Sequence, residues 1–472
     1  MKIHFVGIGG VGMSALAQLH AMSGDTVTGS DRLISKGYTD MALWDYLTKL
    51  NIRLFAQDAS GIDEKTELLV LSSAIEEDNP EIKKAKELGI EIIHRSALLA
   101  RHVASHRTVA VSGTSGKSTT TAMVYDILAF AGLSPSVITG AAVLSLQKEK
   151  DVFGNVDKGT SDILIIEADE SDGSLVQYKP YLGVCLNLQK DHKEIDILQG
   201  FFNKFIHNCK HVIINAEEEN LRSLALPDTK TFGLSLGDVH PAEIKADGFG
   251  SDFVIQGQPF RLHIPGVHNV ANATAAVAAA LEMGVDLETC AKALNQFQGI
   301  ARRFAPVGSY NKIEVIDDFA HNPHKLGATI EAAHLRGQRV LAFYQPHAFT
   351  SVKMLTPEFI ESFAKHIRAD DRLWLTEVYY PGGTIPQGVS CKAIYDGLKE
   401  RGVNVTYDTC REKILAEMAA AAQPGDILLV LGARDPTLTD FARKLLEGVK
   451  HAQKIAACKD CMLGNCCMAY NK

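Results

Sequence analysis

No run of apolar residues in this 472-residue chain approaches the roughly 20 that a membrane-crossing helix needs, so no membrane insertion is expected. No Lys/Arg-rich run is present either. The balance of 48 Lys and Arg against 56 Asp and Glu leaves a net charge of −8, which argues against a nucleic-acid partner. The N-terminus lacks an apolar signal region with a cleavage site, since Met1-Lys2-Ile3-His4-Phe5-Val6 runs straight into a glycine turn. A cytoplasmic location is the expectation. Cysteine is sparse over most of the length, and Cys185, Cys209, Cys290, Cys391 and Cys410 are scattered as reduced thiols. The other four, Cys458, Cys461, Cys466 and Cys467, crowd into residues 451–472. An adjacent cysteine pair is awkward for one tetrahedral ion, and no histidine follows it, so a flexible Cys-rich tail is expected rather than a zinc or iron–sulfur site.

What is present is an ordinary globular composition, 46% hydrophobic and 22% charged, over a length that calls for about three domains. Its organising stretch is Thr108-Val109-Ala110-Val111 followed by Ser112-Gly113-Thr114-Ser115-Gly116-Lys117-Ser118-Thr119. A β-branched run, a glycine turn and a helix start aim backbone N–H groups and the positive end of a helix dipole at phosphate. Lys117 adds a point charge for the β/γ-phosphates and Ser118 a hydroxyl for Mg²⁺. Only two residues separate Gly113 from Gly116, so the match is to a shortened phosphate loop. The chain is expected to bind a nucleoside triphosphate.

Upstream, the strand Ile3-His4-Phe5-Val6 leads into Gly7-Ile8-Gly9-Gly10-Val11-Gly12 and an amphipathic helix. Asp31 closes the second strand roughly twenty residues past Gly12, the spacing of a dinucleotide fingerprint. The physics specifies a diphosphate at a helix N-terminus and a nearby sugar, which NAD, FAD or a UDP-sugar would each satisfy. Ser72 and Ser73 stand at the carboxyl end of another strand, where open parallel sheets bind ligands. Downstream, the buried run 162–166 delivers Glu167-Ala168-Asp169-Glu170-Ser171-Asp172, carboxylates placed for a hard cation. Asp191-His192 follows the next strand and divides evenly between a capping turn and a metal site. Residues 217–263 turn to short alternating runs, expected to form a small β insertion. Asn269 and Asn272, one helical turn apart, suit either a helix cap, which residue physics prefers, or contacts to a base edge. Beyond them, Arg302-Arg303-Phe304 opens a third unit of alternating strands and helices, with Asp317-Asp318, His321, His347 and Arg434 near strand ends.

Taken together, the glycine fingerprint, Ser72-Ser73-Ala74-Ile75, Gly113-x-x-Gly116-Lys117-Ser118-Thr119-Thr120, Glu167-Ala168-Asp169-Glu170, Asp191-His192, His268-Asn269-x-x-Asn272 and Arg302-Arg303-Phe304 resemble the Mur ligase family in collinear order over residues 1–445. The resemblance implies an α/β fold of three domains. These are an N-terminal Rossmann-like UDP-sugar domain (1–105), a central P-loop ATPase α/β domain with a small β insertion (106–299), and a C-terminal Rossmann-like amino-acid domain (300–450). It implies ATP and Mg²⁺ as cofactors and amide-bond formation through an acyl phosphate. UDP-N-acetylmuramate is the implied carboxylate, L-alanine the favoured amine, and the implied state is monomer or weak homodimer.

By the same resemblance, Lys117, Glu167, His192 and His321 are catalytic, and Ser118, Glu167 and His192 hold the metal. Gly113, Thr114, Gly116, Lys117, Ser118, Thr119, His268, Asn269, Asn272, Arg303 and Asp318 bind ATP, while Gly9, Gly10, Val11, Gly12, Asp31, Ser72 and Ser73 bind the UDP-sugar. The chain departs from the family at Ser115, at Gln189-Lys190, at Phe319-Ala320 and Asn322, and at Ala348 and Ser351, where two arginines are usual. Arg434 is the candidate replacement. A murein tripeptide or another amine stays open as acceptor. From another class, an NAD-dependent oxidoreductase would fit the glycine fingerprint but not the Lys117 loop.

Overall fold

The computed structural model describes residues 1–37, 42–72, 75–150, 153–189, 194–379, 388–435 and 437–462. It divides into two compact units. One comprises Met1–Lys245, Ser251–His263 and Val267–Ile300, and the other Ala246–Gly250, Ile264–Gly266 and Ala301–Lys472.

The first unit carries two largely parallel sheets. The N-terminal sheet contains β1 (Lys2–Val6), β2 (Thr26–Ser30), β3 (Arg53–Phe55), β4 (Leu68–Leu71) and β5 (Glu91–His94), in the order β3-β2-β1-β4-β5. All its pairings are parallel. Strand order reverses between β1 and β4, so the crevice at their carboxyl ends is the expected ligand position of a doubly wound sheet. The glycine turn after β1 and Ser72 after β4 both stand there. Residues Ile3, Phe5, Leu68 and Val70 bury one face against Leu16 and Leu19 of the helix Val11–Met22.

The second sheet contains β6 (Arg107–Ser112), β7 (Ser136–Ile138), β8 (Val156–Asp157), β9 (Ile163–Glu167), β10 (Leu182–Cys185), β11 (His211–Asn215) and β12 (Lys230–Phe232). Their order is β12-β11-β10-β6-β9-β7-β8, antiparallel only between β7 and β8. Strands β6 and β9 are buried along nearly their whole length, as apolar runs covered on both faces should be. Their register sets the site, because Val111 pairs with Glu167 and Ser112 with Cys185. Whatever follows β9 and β10 therefore flanks the loop that follows β6.

The β insertion is smaller than the alternating pattern implied. Lys230–Phe232 joins the second sheet instead, and the antiparallel insertion proper is β13 (Pro241–Asp247), β14 (Gly250–Ile255) and β15 (Gln258–Leu262). Short runs of strand-forming residues look alike whether they pair locally or at the edge of a larger sheet.

The second unit is built on β16 (Ala305–Tyr310), β17 (Ile313–Asp318), β18 (Arg339–Gln345), β19 (Arg372–Leu375), β20 (Val405–Tyr407) and β21 (Asp426–Gly432), in the order β16-β17-β21-β18-β19-β20. β16 runs antiparallel and the rest are parallel. Alternate residues bury opposite faces: Ile316, Ala342, Tyr344 and Leu429 on one, Val315, Leu341, Phe343, Leu428 and Val430 on the other.

The last helix spans Leu438–Met462, so the expected flexible tail is corrected over residues 451–462, and residues 463–472 lie outside the described residues. Ala, Lys and Gln are good helix formers, and the run 451–457 contains no breaker. Cys466 and Cys467 lie outside the described residues. Among the described residues no helix is long and apolar enough to cross a membrane.

Candidate functional site

The phosphate loop is pinned before any ligand is considered. Gly116 sits at φ 85° as the N-cap of the helix Lys117–Phe130, a left-handed backbone that a side chain would strain. From the end of β10, Asn187 clamps the loop. Its Oδ1 accepts from Thr114 Oγ1 and from Ser115 N, each at 2.8 Å, and its Nδ2 donates to Ser115 O at 3.0 Å. Sequence reasoning passed over Asn187. The one available signal was its place at a strand end in a nucleotide-binding domain.

Lys117 folds back over the loop, donating to Gly113 O at 2.6 Å and to Glu170 Oε2 at 2.7 Å, with Asp169 Oδ1 at 3.7 Å. Burial alone would pull its pKa down. Glu170 and Asp169 outweigh burial and raise it, so the ammonium stays charged. Glu170 is therefore a second functional residue that the acidic run 167–172 does not single out by itself. Thr119 is buried within the first turn of this helix.

Glu167, at the end of β9, gathers the remaining oxygens. Its Oε2 accepts from Ser118 Oγ at 3.0 Å, while its Oε1 accepts from Gly140 N at 2.6 Å and from Thr139 Oγ1. A hydroxyl and a carboxylate facing each other are the hard donors Mg²⁺ prefers, and Mg²⁺ commonly takes only one or two protein ligands beside phosphate oxygens. The donor set fits. Among the described residues no group of three His, Cys, Asp or Glu gathers for a metal. His192, the other expected metal position, lies outside the described residues.

The helix Val267–Glu282 runs against this loop. Asn272 Oδ1 would lie 2.4 Å from a Cβ placed on Gly116, so the amide fills the space that glycine leaves. Asn272 Nδ2 donates to Asn269 Oδ1 at 3.2 Å. The helix begins at Val267, so both amides lie inside its first two turns, with His268 beside them. The capping preference is thus corrected: the start of the helix lies upstream of both side chains.

At the N-terminal sheet, the glycine turn opens the helix Val11–Met22 with Gly10 as an N-cap that has no side-chain hydrogen bond. Asp31 does something its spacing did not reveal. Its Oδ2 accepts from Gly9 N and its Oδ1 from Leu33 N, both at 2.9 Å, so it braces the turn and caps the helix Arg32–Ser35. Ser72 lies against Gly7, where a Cβ would come 3.2 Å from its hydroxyl. Ser73 falls outside the described residues.

In the second unit, His321 follows β17 and His347 follows β18, and their rings meet edge-on with centroids 5.2 Å apart. His321 Nδ1 lies 2.9 Å from Phe319 O, and as donor to that carbonyl it leaves Nε2 with a lone pair. Burial first, then Lys325, lower its pKa to about 3, so the ring is neutral. Asp318 is wholly occupied: Oδ2 accepts from Phe304 N at 2.6 Å, and Oδ1 from Ala320 N at 2.7 Å and Thr329 Oγ1 at 3.2 Å. Burial raises its pKa against the pull of Arg303. Of the paired arginines, Arg302 is tied to Asp317 Oδ1 at 3.3 Å and Gly432 O at 2.7 Å. Arg303 stacks on Phe319 with its guanidinium carbon 5.3 Å from the ring centroid. Arg434 is exposed at φ 63°.

Comparison with known proteins matches three family models in succession. They are the Mur ligase family catalytic domain over residues 2–107, the Mur ligase middle domain over 111–280, and the Mur ligase glutamate ligase domain over 302–434. A UDP-N-acetylmuramate–L-alanine ligase of Solibacter usitatus is 33% identical over 467 residues, 95% of each chain. Among solved structures, a UDP-N-acetylmuramate–alanine ligase of Thermotoga maritima superposes with a TM-score of 0.78 at 29% identity, covering 96% of this chain and 100% of that one. A murein peptide ligase of Psychrobacter arcticus shares the fold, with a TM-score of 0.69 at 23% identity over 95% and 98% of the two chains.

Proposed function

This chain belongs to the Mur ligase family, and we propose that it is an ATP-dependent carbon–nitrogen ligase joining L-alanine to UDP-N-acetylmuramate in peptidoglycan precursor synthesis. It works in the cytoplasm as a monomer or weak homodimer. Residues 1–105 hold the UDP-sugar, 106–299 the ATP, and 300–450 the amino acid. The observation that carries this reading is the Ser118–Glu167 contact of 3.0 Å beside a charged Lys117 on a strand–loop–helix phosphate cradle.

The reaction has two steps. A carboxylate oxygen of the muramate attacks the γ-phosphorus and ADP leaves. The alanine nitrogen then attacks the acyl carbon of the resulting acyl phosphate, and inorganic phosphate leaves as the amide forms. Lys117 and the N-terminus of its helix offset the charge that spreads over the transferring phosphoryl oxygens, an effect worth about 10²–10³ in rate per donor at comparable sites. Asn187 holds the loop in register without touching the reacting atoms. Ser118, Glu167 and His192 would hold Mg²⁺, which when bound supplies charge neutralisation at the β/γ oxygens. His268, Asn269 and Asn272 serve the adenine, and Arg303 and the linker fixed by Asp318 serve the nucleotide. Neutral His321 accepts a hydrogen bond at Nε2 from the incoming amine.

Phosphate release from ATP with UDP-N-acetylmuramate, screened over amino acids and peptides, tests the proposal. Release dependent on L-alanine supports it, and release only with a peptide or another amine replaces the acceptor. An absence of release with every UDP-sugar overturns it.

A further inference from the structure

Strand β1 alternates, so Ile3 and Phe5 pack with the helix Val11–Met22 while His4 and Val6 point to the other face of the sheet. On that face β1 and β2 carry a polar stripe, His4, Thr28 and Ser30, each fully buried. Glu81, in the first turn of the helix Pro80–Glu87, is fully buried against it. Its Oε2 accepts from Ser30 Oγ at 2.7 Å, and its Oε1 lies 3.1 Å from His4 Nε2. A carboxylate only accepts, so Nε2 carries a proton, and Nδ1 meets Thr28 Oγ1 at 2.7 Å. The chain makes room for the ring, since a Cβ on Gly61 would come 2.5 Å from His4 Cε1. A buried ionisable pair is weak evidence of stabilisation, because apolar packing of similar volume often does as well. Its place beneath the glycine turn gives it a use.

The end of β2 is the seat of that turn. Ser30 O accepts from Gly7 N at 2.8 Å and from Ile8 N at 3.0 Å, and Asp31 Oδ2 accepts from Gly9 N at 2.9 Å. The opposite wall of the crevice is Ser72 and Ile75, whose side chains lie 3.2 and 3.4 Å from a Cβ placed on Gly7. That wall leads to Asn79, which caps the helix Pro80–Glu87 by accepting from Glu81 N at 2.8 Å. Glu81 thus ties the two walls together, its backbone held by the loop after β4 and its carboxylate by the end of β2. We infer that Glu81, oriented by His4, is a positioning residue of the UDP-sugar site that sets the spacing of the glycine turn and the Ser72 wall. Being fully buried, it touches no ligand itself. The inference rests on the assignment of the glycine turn to a UDP-sugar.

The test is calorimetric titration of the whole protein with UDP-N-acetylmuramate and, separately, with ATP. Glu81→Ala strands the Ser30 hydroxyl and the His4 N–H, and should weaken UDP-N-acetylmuramate about tenfold while leaving ATP affinity nearly unchanged. Glu81→Gln should recover most of the loss. Its amide accepts from Ser30 Oγ and donates to His4 Nε2 once the imidazole proton moves to Nδ1. Ser30→Ala, the smallest cut in the network, should weaken UDP-N-acetylmuramate severalfold, and it carries the test if Glu81→Ala does not fold. Melting curves set each affinity beside the stability of the same variant. Unchanged UDP-sugar affinity in the folded variants, or equal losses for UDP-sugar and ATP, would overturn the inference and leave a plain structural bridge. If the unaltered protein binds ATP but no UDP-sugar, the assignment of the glycine turn fails and the inference fails with it.

Discussion

Ser118 Oγ donates to Glu167 Oε2 at 3.0 Å, joining the first turn of the phosphate-loop helix to the end of the neighbouring strand. The pairing of Val111 with Glu167 in the β6–β9 ladder makes that contact a property of the sheet register. Replacing Glu167 by Gln keeps the shape and removes the charge. Turnover should fall by roughly 10²–10³, the order seen when one charge-stabilising group is lost. A rise in the Mg²⁺ concentration giving half-maximal phosphate release should accompany it. A fall in rate with unchanged Mg²⁺ dependence would remove Glu167 from the metal site.

Asn187 makes three hydrogen bonds to the loop from one amide. Asn187→Ala leaves Thr114 Oγ1 and two backbone groups of the loop to find new partners, at about 1–3 kcal/mol in stability. The KM for ATP should rise about tenfold while UDP-sugar affinity stays the same. Unaltered KM for ATP would show that the loop holds its shape without the clamp.

Gly116→Ala meets two obstacles. Its φ of 85° is left-handed, and the added methyl would lie 2.4 Å from Asn272 Oδ1. Asn272 must then move, so ATP affinity should drop by at least tenfold. Asn272→Gly in the same chain should restore room and recover folding but not ATP affinity, because the amide is gone. Full recovery of affinity in the double variant would contradict a role for Asn272 in the nucleotide site.

Two buried histidines contribute to the loss of stability toward acid pH. Burial, with His20 and His106 nearby, lowers His102 from 6.5 to about 4. Burial with Lys325 lowers His321 from 6.5 to about 3. In the unfolded chain both protonate near 6.5, so the unfolded state binds more protons below that pH, and stability falls as pH drops toward the lowered values. His102→Gln should reduce the loss of melting temperature between about pH 6.5 and 4. The pH–rate profile should show no inflection from His321 between about pH 5 and 8, and an inflection that vanishes in His321→Asn would contradict its neutral assignment.

The strand–loop–helix at Lys117 was legible because its determinants are contiguous: a buried run, two glycines and a lysine within a dozen residues. The parallel sheets were legible from alternating apolar runs for the same reason. Asn187, 73 positions from Thr114, was not, since only the β6–β10 ladder brings it to the loop. Asp31 shows the reverse case. Its spacing fits a ribose contact, and the carboxylate also braces Gly9 and caps a short helix, a use that spacing does not show. Asn269 and Asn272 suited a cap by residue type, yet the helix began two residues before the first of them.

Central to the account is transfer of the γ-phosphoryl group to the muramate carboxylate before the amide forms. The direct measurement uses UDP-N-acetylmuramate labelled with ¹⁸O in that carboxylate, turned over with ATP and L-alanine, with the released phosphate read by mass spectrometry. Each phosphate released from fully labelled substrate should carry one ¹⁸O atom, and none when ATP is simply hydrolysed. Amide formation with unlabelled phosphate would contradict it.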